Sequence, residues 1–424
     1  MDVSRILGWL GLSRLGRAAT PRAIAEGAGL TVVGTTPGHG VRARRGELTV
    51  FLGRRSWAGG TRVEIRPVAR GLSACRVVGP DARFSGVETG DAAFDAEVRF
   101  SGTWLLVRAL LDSGTRDAAR DAFAVAASVS VADGALVADF DASGSADRPF
   151  TAPALERLLA LAERLREPAD PVPRLAEIAR TDRDPVVRRS AVAVLGRDAE
   201  DRRETRQARK TACLDPDPSV RLAGARYLGA EGVAVAEEVA RNVETPDAFA
   251  ADAIEVLGDR LSSETRRAIL DVAGADRPRT ACAALASLNG AGREDVERIA
   301  AVLGRASTGP VAQAAVEALV RAKVPAAAEP ALAAALGSDV EVARAAARAL
   351  ARIGTADSVP ALRGAEERTE LARTAREAIV AIQSRLTGAS PGQLALAGAS
   401  GGELAVAEAD GRVSLGPRDP EAGS

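Results

Sequence analysis

Between about residue 151 and residue 386 apolar side chains return every three or four positions, the spacing that lines one face of an α-helix. The pattern itself repeats. Asp182-Arg-Asp-Pro-Val-Val-Arg188-Arg-Ser-Ala191-Val-Ala-Val-Leu195-Gly196 comes back as Asp215-Pro-Asp-Pro-Ser-Val-Arg221-Leu-Ala-Gly-Ala-Arg-Tyr-Leu228-Gly229. An apolar anchor then recurs as Leu257, Leu288, Leu319, Leu350 and Ile379, so that the intervals from Leu195 onward are 33, 29, 31, 31, 31 and 29 residues. Ahead of the anchor segments lie others of helical spacing, at 173–180, 233–242, 264–272, 293–303 and 325–336. Each unit is therefore predicted to be a helical hairpin. A hairpin of this size cannot bury its apolar face alone, so about seven of them are expected to stack as an α-solenoid with a continuous core.

The period changes at the N-terminal end. Short alternating runs at 30–33, 48–52 and 62–65, separated by Gly/Pro-rich turns, predict a small antiparallel β region. A strand at 97–100, helices over 104–111 and 116–123, and a strand pair at 128–131 and 135–140 around a tight turn at 132–134 complete an α+β domain. Residues 3, 6, 7 and 10 share one face of a further helix with Trp9 beside them, opposite Arg5, Arg14 and Arg17. The expected architecture is mainly α: an amphipathic helix over 1–20, an α+β domain with an antiparallel β region over 21–150, a solenoid over 151–386, and a flexible tail over 387–424.

Charge sharpens these boundaries. Residues 1–83 carry 14 arginines against five acids, a net of +9, whereas 84–150 carry five against 11, a net of −6. Arginines on alternate strand positions are expected to form a solvated sheet face; the competing reading is a site for an acidic protein, a lipid headgroup or a polynucleotide. Across the repeats, 151–386, 35 Lys+Arg balance 36 acids, with no Trp and with Tyr227 and Phe249 the aromatics inside the repeats. A neutral, aromatic-poor surface disfavours nucleic acid.

Candidate chemistry is sparse. One histidine, His39, excludes metal centres that need two imidazoles, and it stands in a Pro-Gly-His-Gly turn with no nucleophile at motif spacing. Cys75, Cys213 and Cys282 are too far apart for a disulfide framework and fit a reducing cytoplasm. Oxygen ligands at Asp139, Asp141, Ser143 and Asp147 alternate around a glycine as a hard cation requires, but the glutamate that should close a calcium loop is replaced by Phe150, so calcium is a weak candidate. Two Gly-x-Ser-x-Gly matches in the tail lack the strand-to-helix context of a nucleophile elbow. No cofactor and no catalytic residue is expected.

The phrase Asp-x-Asp-Pro-x-Val-Arg-x-x-Ala-x-x-x-Leu-Gly resembles the HEAT repeat, particularly the short bacterial form also seen in phycobilisome-lyase-like proteins. The resemblance covers about 155–386, and the later units lose or blur the Val-Arg pair. It implies a solenoid that binds protein partners on a curved face. It also implies a structural ladder of Asp and Arg, carried over here to Asp184 with Arg188 and Asp217 with Arg221. The tail holds three echoes of one pattern, at 392–396, 402–406 and 411–415, whose period of two suits edge strands added to a partner's sheet, a small meander, or a plain linker. The leading expectation is a non-enzymatic protein-interaction scaffold or adaptor. A lyase-like enzyme or enzyme subunit is one alternative; a membrane-surface adaptor acting through the N-terminal helix is another, although a single short helix makes membrane contact weak.

Overall fold

The computed structural model describes residues 20–36, 40–54, 60–76, 86–140, 150–274, 276–288, 290–306, 308–385, 394–396 and 404–406. The amphipathic helix expected over 1–20, His39, three of the four calcium candidates (Asp141, Ser143 and Asp147), both Gly-x-Ser-x-Gly matches and the third tail echo lie outside the described residues, apart from position 20. The fold is mainly α: HEAT-like helical hairpins preceded by a small α+β domain. By internal contacts the chain divides into two compact units, Met1–Gly232 and Val233–Ser424.

The first unit opens with α1 (Pro21–Gly27), whose N-cap Thr20 accepts the Ala23 N–H. Eight strands follow: β1 (Thr31–Thr36), β2 (Gly40–Arg45), β3 (Leu48–Arg54), β4 (Thr61–Arg66), β5 (Ser73–Arg76), β6 (Val98–Ser101), β7 (Ser128–Ala132) and β8 (Ala135–Phe140). They form one antiparallel sheet in the order β1-β2-β3-β4-β8-β7-β5-β6. β7 and β8 are joined by Asp133-Gly134, both at positive φ, as a two-residue hairpin turn requires. Val50, Val63, Ile65 and Leu136 share one buried face, while Arg42, Phe51 and Glu64 fall in register on the other. On β2 the exposed Arg42 and Arg44 alternate with buried Val41 and Ala43, and the Arg42 guanidinium lies 5.4 Å from the Phe51 ring centroid.

Four helices complete this layer: α2 (Ala92–Glu97), α3 (Trp104–Leu110), α4 (Ser113–Val125) and α5 (Ala152–Arg164). Leu155, Leu158, Leu159 and Ala162 of α5 belong to the same buried cluster as the sheet. This shifts the expected start of the repeats from 151: α5 carries a helical period but spends its apolar face on the sheet. The repeats begin with α6 (Pro171–Thr181) and α7 (Pro185–Asp198), followed by α8 (Arg203–Ala212), α9 (Pro218–Arg226) and a 3₁₀ turn at Gly229–Gly232. Both pairs fall in the first compact unit, together with the sheet.

The second unit contains five hairpins: α10 (Val233–Arg241) with α11 (Asp247–Leu257), α12 (Ser263–Val272) with α13 (Pro278–Ala286), α14 (Arg293–Arg305) with α15 (Gly309–Val320), α16 (Pro325–Ala335) with α17 (Val340–Ile353), and α18 (Val359–Glu366) with α19 (Ala372–Arg385). Second helices stack in chain order from α11 to α19. Their buried positions mix alanine with larger apolar residues, such as Ala346, Ala347 and Leu350 in α17, which lets helix axes approach closely. Two of the tail echoes form a two-stranded antiparallel sheet, β9 (Leu394–Leu396) with β10 (Leu404–Val406), in the register Leu396 to Leu404.

The repeat anchors separate by burial. Leu195, Leu257, Leu288, Leu319, Leu350 and Ile379 are buried, with Leu288 lying just past the end of α13. Leu228 is half-exposed, contrary to the expectation for an anchor. The reason is local: α9 ends at Arg226 and Gly229 takes φ +58°, so the chain turns away before Leu228 can enter the stack.

Candidate functional site

Arg188 joins a ladder at the repeat junction, but through a carboxylate other than Asp184. Asp184 and Asp217 are N-caps, accepting the Val186 N–H at 2.8 Å and the Ser219 N–H at 2.8 Å. The carboxylates that meet arginine forks are Asp182 and Asp215, two positions earlier. Arg188 reaches forward to Asp215 with both sides of its fork, at 2.8 and 2.7 Å, and gives its remaining Nη1 to the Asp182 carbonyl at 2.8 Å. Arg221 repeats the second half of this motif, donating to the Asp215 carbonyl at 2.9 Å. Asp215 also accepts the Asp217 N–H at 2.9 Å, which turns the chain into α9. Hydrogen bonding to Asp215 raises the pKa of Arg188, against the opposing effect of burial.

The rung before this one comes from outside the repeats. Arg116, on α4, is fully buried and donates to Asp182 at 3.2 and 3.0 Å, to the Leu111 carbonyl at 2.9 Å and to Asp91 at 3.2 Å. Asp182 is equally buried at its side chain, so a charge pair is held without water and with its hydrogen bonds made. Asp112 caps α4 through the Thr115 N–H at 2.6 Å and stands four residues before Arg116, as Asp184 stands before Arg188 and Asp217 before Arg221. Ala109 of α3 lies in the core of the first hairpin pair. Helices α3 and α4 thus take the place of a preceding repeat and cover the end of the stack. Asp91 ties this corner together: burial pushes its carboxyl up, but the Phe94 N–H, Arg120 and Arg116 outweigh that and hold it below the usual range. Arg108 on α3 is driven down to about 10 by burial, against Asp95 and Glu88, while it donates to the Thr89 carbonyl at 2.6 Å.

In the second unit most of the bridging arginines change partners, although Arg298 still reaches Asp271 at 3.0 Å and Arg267 reaches Asp295 at 3.4 Å. Arg277 donates to the Thr245 carbonyl at 3.0 Å, Arg305 to Leu270 and Ala273 at 2.7 and 3.0 Å, Arg321 to Leu285 at 3.2 Å, and Arg368 to Leu336 and Ser338 at 2.6 and 3.2 Å. Arg385 bonds the carbonyls of Ala351 and, at 2.7 Å, Gly354. Each arginine of this carbonyl series reaches back about one repeat to the C-terminal carbonyls of a helix or the turn after it, the groups a helix leaves unsatisfied. Carboxylates do the converse at N-termini. Asp247 accepts the N–H groups of Arg279 and Thr280 at 2.9 and 2.8 Å, and buried Glu329 accepts the Thr355 N–H at 2.7 Å and the hydroxyls of Thr355 and Ser358.

Two depressions lie on the first pairs of helices. One, of about 360 Å³, is floored by Pro173, Ala176 and Ala208 between α6 and α8. The other, of about 550 Å³, is walled by Arg202, Arg206, Arg209, Tyr227, Leu228 and Glu231 among others. Arg209 stacks 5.1 Å from the Tyr227 ring centroid and donates to the carbonyls of Gly196 and Tyr227, so its charge is spent on helix ends. Tyr227 presses on Gly196, where a Cβ would stand 2.9 Å from the ring.

Residues 172–243 match the family model of HEAT repeats. That stretch holds both hairpins of the first unit and the opening helix of the next. No curated protein matches the chain. Among solved structures, a crystal structure of an engineered protein from the Northeast Structural Genomics Consortium is similar over 51% of this chain and 97% of its own, at 23% identity and a TM-score of 0.25.

Within the helical hairpins the candidate reactive groups are quiet. Burial raises the thiol pKa of Cys213, and that of Cys282 together with nearby Asp247 and Glu317, which disfavours thiolate. Ahead of the hairpins, burial does the same to Cys75. The calcium candidate Asp139 is held by Arg62 at 2.8 and 2.9 Å, an ion pair across β4 and β8 that leaves it a poor metal ligand. Among the described residues no group of three or more His, Cys, Asp or Glu is placed to hold a metal, and no helix is long and apolar enough to cross a membrane. What the sequence reading missed is Arg116 and the Arg-to-carbonyl series. The first had a signal, the Asp-x-x-x-Arg spacing at Asp112 and Arg116; the second shows only as arginines near helix ends, such as Arg305, Arg321 and Arg385.

Proposed function

We propose that the chain is a non-enzymatic scaffold or adaptor that binds protein partners on the exposed helix faces of its HEAT-like hairpins. The observation that carries this reading is how the charged side chains of the repeats are used. Arginines and carboxylates at the junctions are consumed in holding hairpin to hairpin, and the thiols are shifted away from reactivity. The outward faces are left as the part of the molecule free to act. Cytoplasmic residence accords with the three free thiols. Among the described residues the echoes β9 and β10 pair only with each other, which suits the tail for adding to a partner's sheet.

The test is affinity purification of the full-length protein beside versions lacking 387–424, followed by cross-linking of the captured complex. Cross-links concentrated on hairpin helices support the reading. A turnover that survives purification and is lost in a folded His39→Ala variant would replace it with an enzyme.

A further inference from the structure

The second helices of the HEAT-like hairpins in the second unit carry an uneven charge. Counting from each anchor, the positions two before it are Glu255, Ala286, Glu317, Arg348 and Glu377, and the positions two after it are Asp259, Gly290, Arg321, Arg352 and Ala381. Five before it stand Asp252, Ala283, Ala314, Ala345 and Thr374. The outward side of α11 with the turn after it is therefore acidic through Asp252, Glu255 and Asp259, all exposed. On α17 it is basic through Arg344, Arg348 and Arg352, the last two exposed. Between them α13 offers Ala283 and Ala286, and on α15 the Glu317 carboxylate faces Arg321 at 4.0 Å. Arg344 is answered by Glu341 at 2.6 Å. Asp252, Glu255, Asp259, Arg348 and Arg352 make no side-chain hydrogen bond or ion pair among the described residues.

We infer that this face is an interface with a second copy of the chain, related by a two-fold axis between α13 and α15. A surface acidic at one end and basic at the other, with the charge ends one helix outside a neutral pair, is complementary to itself after a half-turn. The rotation sets α11 of each copy against α17 of the other, which joins Asp252 and Glu255 to Arg348 and Arg352 twice over. Ala283 and Ala286 of α13 then face the mutually neutralised Glu317 and Arg321 of α15 across the axis. The area suffices: four helices about 9 Å apart and contacted along about 18 Å cover roughly 650 Å² per copy, or roughly 1,300 Å² in all, at the lower end of stable interfaces. A modest area with exposed charge pairs makes a salt-sensitive dimer.

The experiment is sedimentation of the full-length protein and two charge-reversed variants, Asp252→Lys with Glu255→Lys and Arg348→Glu with Arg352→Glu, whose helicity is checked by circular dichroism. These side chains are solvent-facing, so the fold is expected to survive. The unaltered protein should dimerise, with a dissociation constant that rises about tenfold or more between roughly 50 mM and roughly 500 mM salt. Each variant alone should dimerise at least about tenfold more weakly. Mixed in equal amounts, the two variants should form a heterodimer, because each reversed end then meets its opposite. A protein that stays monomeric up to roughly millimolar concentration, a dimer indifferent to both reversals, or a mixture that does not recover overturns the inference. Each of these outcomes leaves partner capture by the scaffold standing, since that is read from a separate complex.

Discussion

Both compact units join hairpin to hairpin with arginine, but the acceptors that dominate differ. In the first, arginine forks close on buried carboxylates, Arg116 on Asp182 and Arg188 on Asp215. In the second, Arg277, Arg305, Arg321, Arg368 and Arg385 close on backbone carbonyls, as Arg209 does in the first, and the carboxylate pairs that link hairpins there, Arg298 with Asp271 and Arg267 with Asp295, are more exposed. A carboxylate rung demands a particular residue at a particular turn, so it marks the sequence strongly. A carbonyl is present at every position, so a carbonyl rung asks only for an arginine of the right reach. This is why the repeat phrase is crisp in the first two units and blurred in the later ones while the hairpin itself persists.

The contrast is broken most directly at Arg116. Arg116→Ala leaves the Asp182 carboxylate buried and unpaired and is expected to cost about 3–5 kcal/mol in denaturant unfolding, with Arg116→Lys recovering little because one ammonium cannot reproduce the fork. A loss under about 1 kcal/mol would show that the corner of α3, α4 and α6 opens to water. Next in size is Leu257→Ala, about 2–5 kcal/mol, since the second unit relies on apolar stacking at its anchors. Leu228→Ala should cost less than half as much; equal losses at the two sites would mean that Leu228 folds into the stack after all.

Smaller still is Arg305→Ala. Its hydrogen bonds to Leu270 and Ala273 lie at a partly solvated helix end where water can replace the guanidinium, and the expected loss is about 1 kcal/mol. A loss as large as that at Arg116 would erase the difference between the two kinds of rung.

A pH measurement sharpens the comparison further. Burial pushes the Asp247 carboxyl up, but the Thr280 hydroxyl, the N–H groups of Thr280 and Arg279, and Arg277 prevail and hold its folded pKa low. Its stabilisation is thus complete above the unfolded value of about 3.9 and is lost as pH falls through the folded value beneath it. Asp247→Asn should flatten that acid limb; an unchanged limb would place the titration elsewhere. Least of all, Arg373→Ala, which removes an exposed pair with Glu377, should leave the unfolding curve where it is.

Much of this molecule is legible in its sequence. Hydrophobic period and the spacing of anchors were enough to place hairpins from α6 to α19 and to predict the hairpin at β7 and β8, because burial of one face and tight-turn chemistry are local demands written residue by residue. Asp184 and Asp217 were recognisable as important, yet their role as caps, and that of Asp182 and Asp215 as rungs, depended on how far an arginine on one helix reaches toward the turn of the next. The assignment of α5 to the sheet and the exposure of Leu228 belong to tertiary structure for the same reason. An amphipathic helix specifies that one face must be buried but not against what. An anchor specifies a wish for the core that a turn at Gly229 can refuse. Arg116 stands between the two cases: its spacing from Asp112 was in the sequence, but only the packing of α3 against the first hairpin, with α4 following it, brings a buried cation to a buried anion 66 residues away.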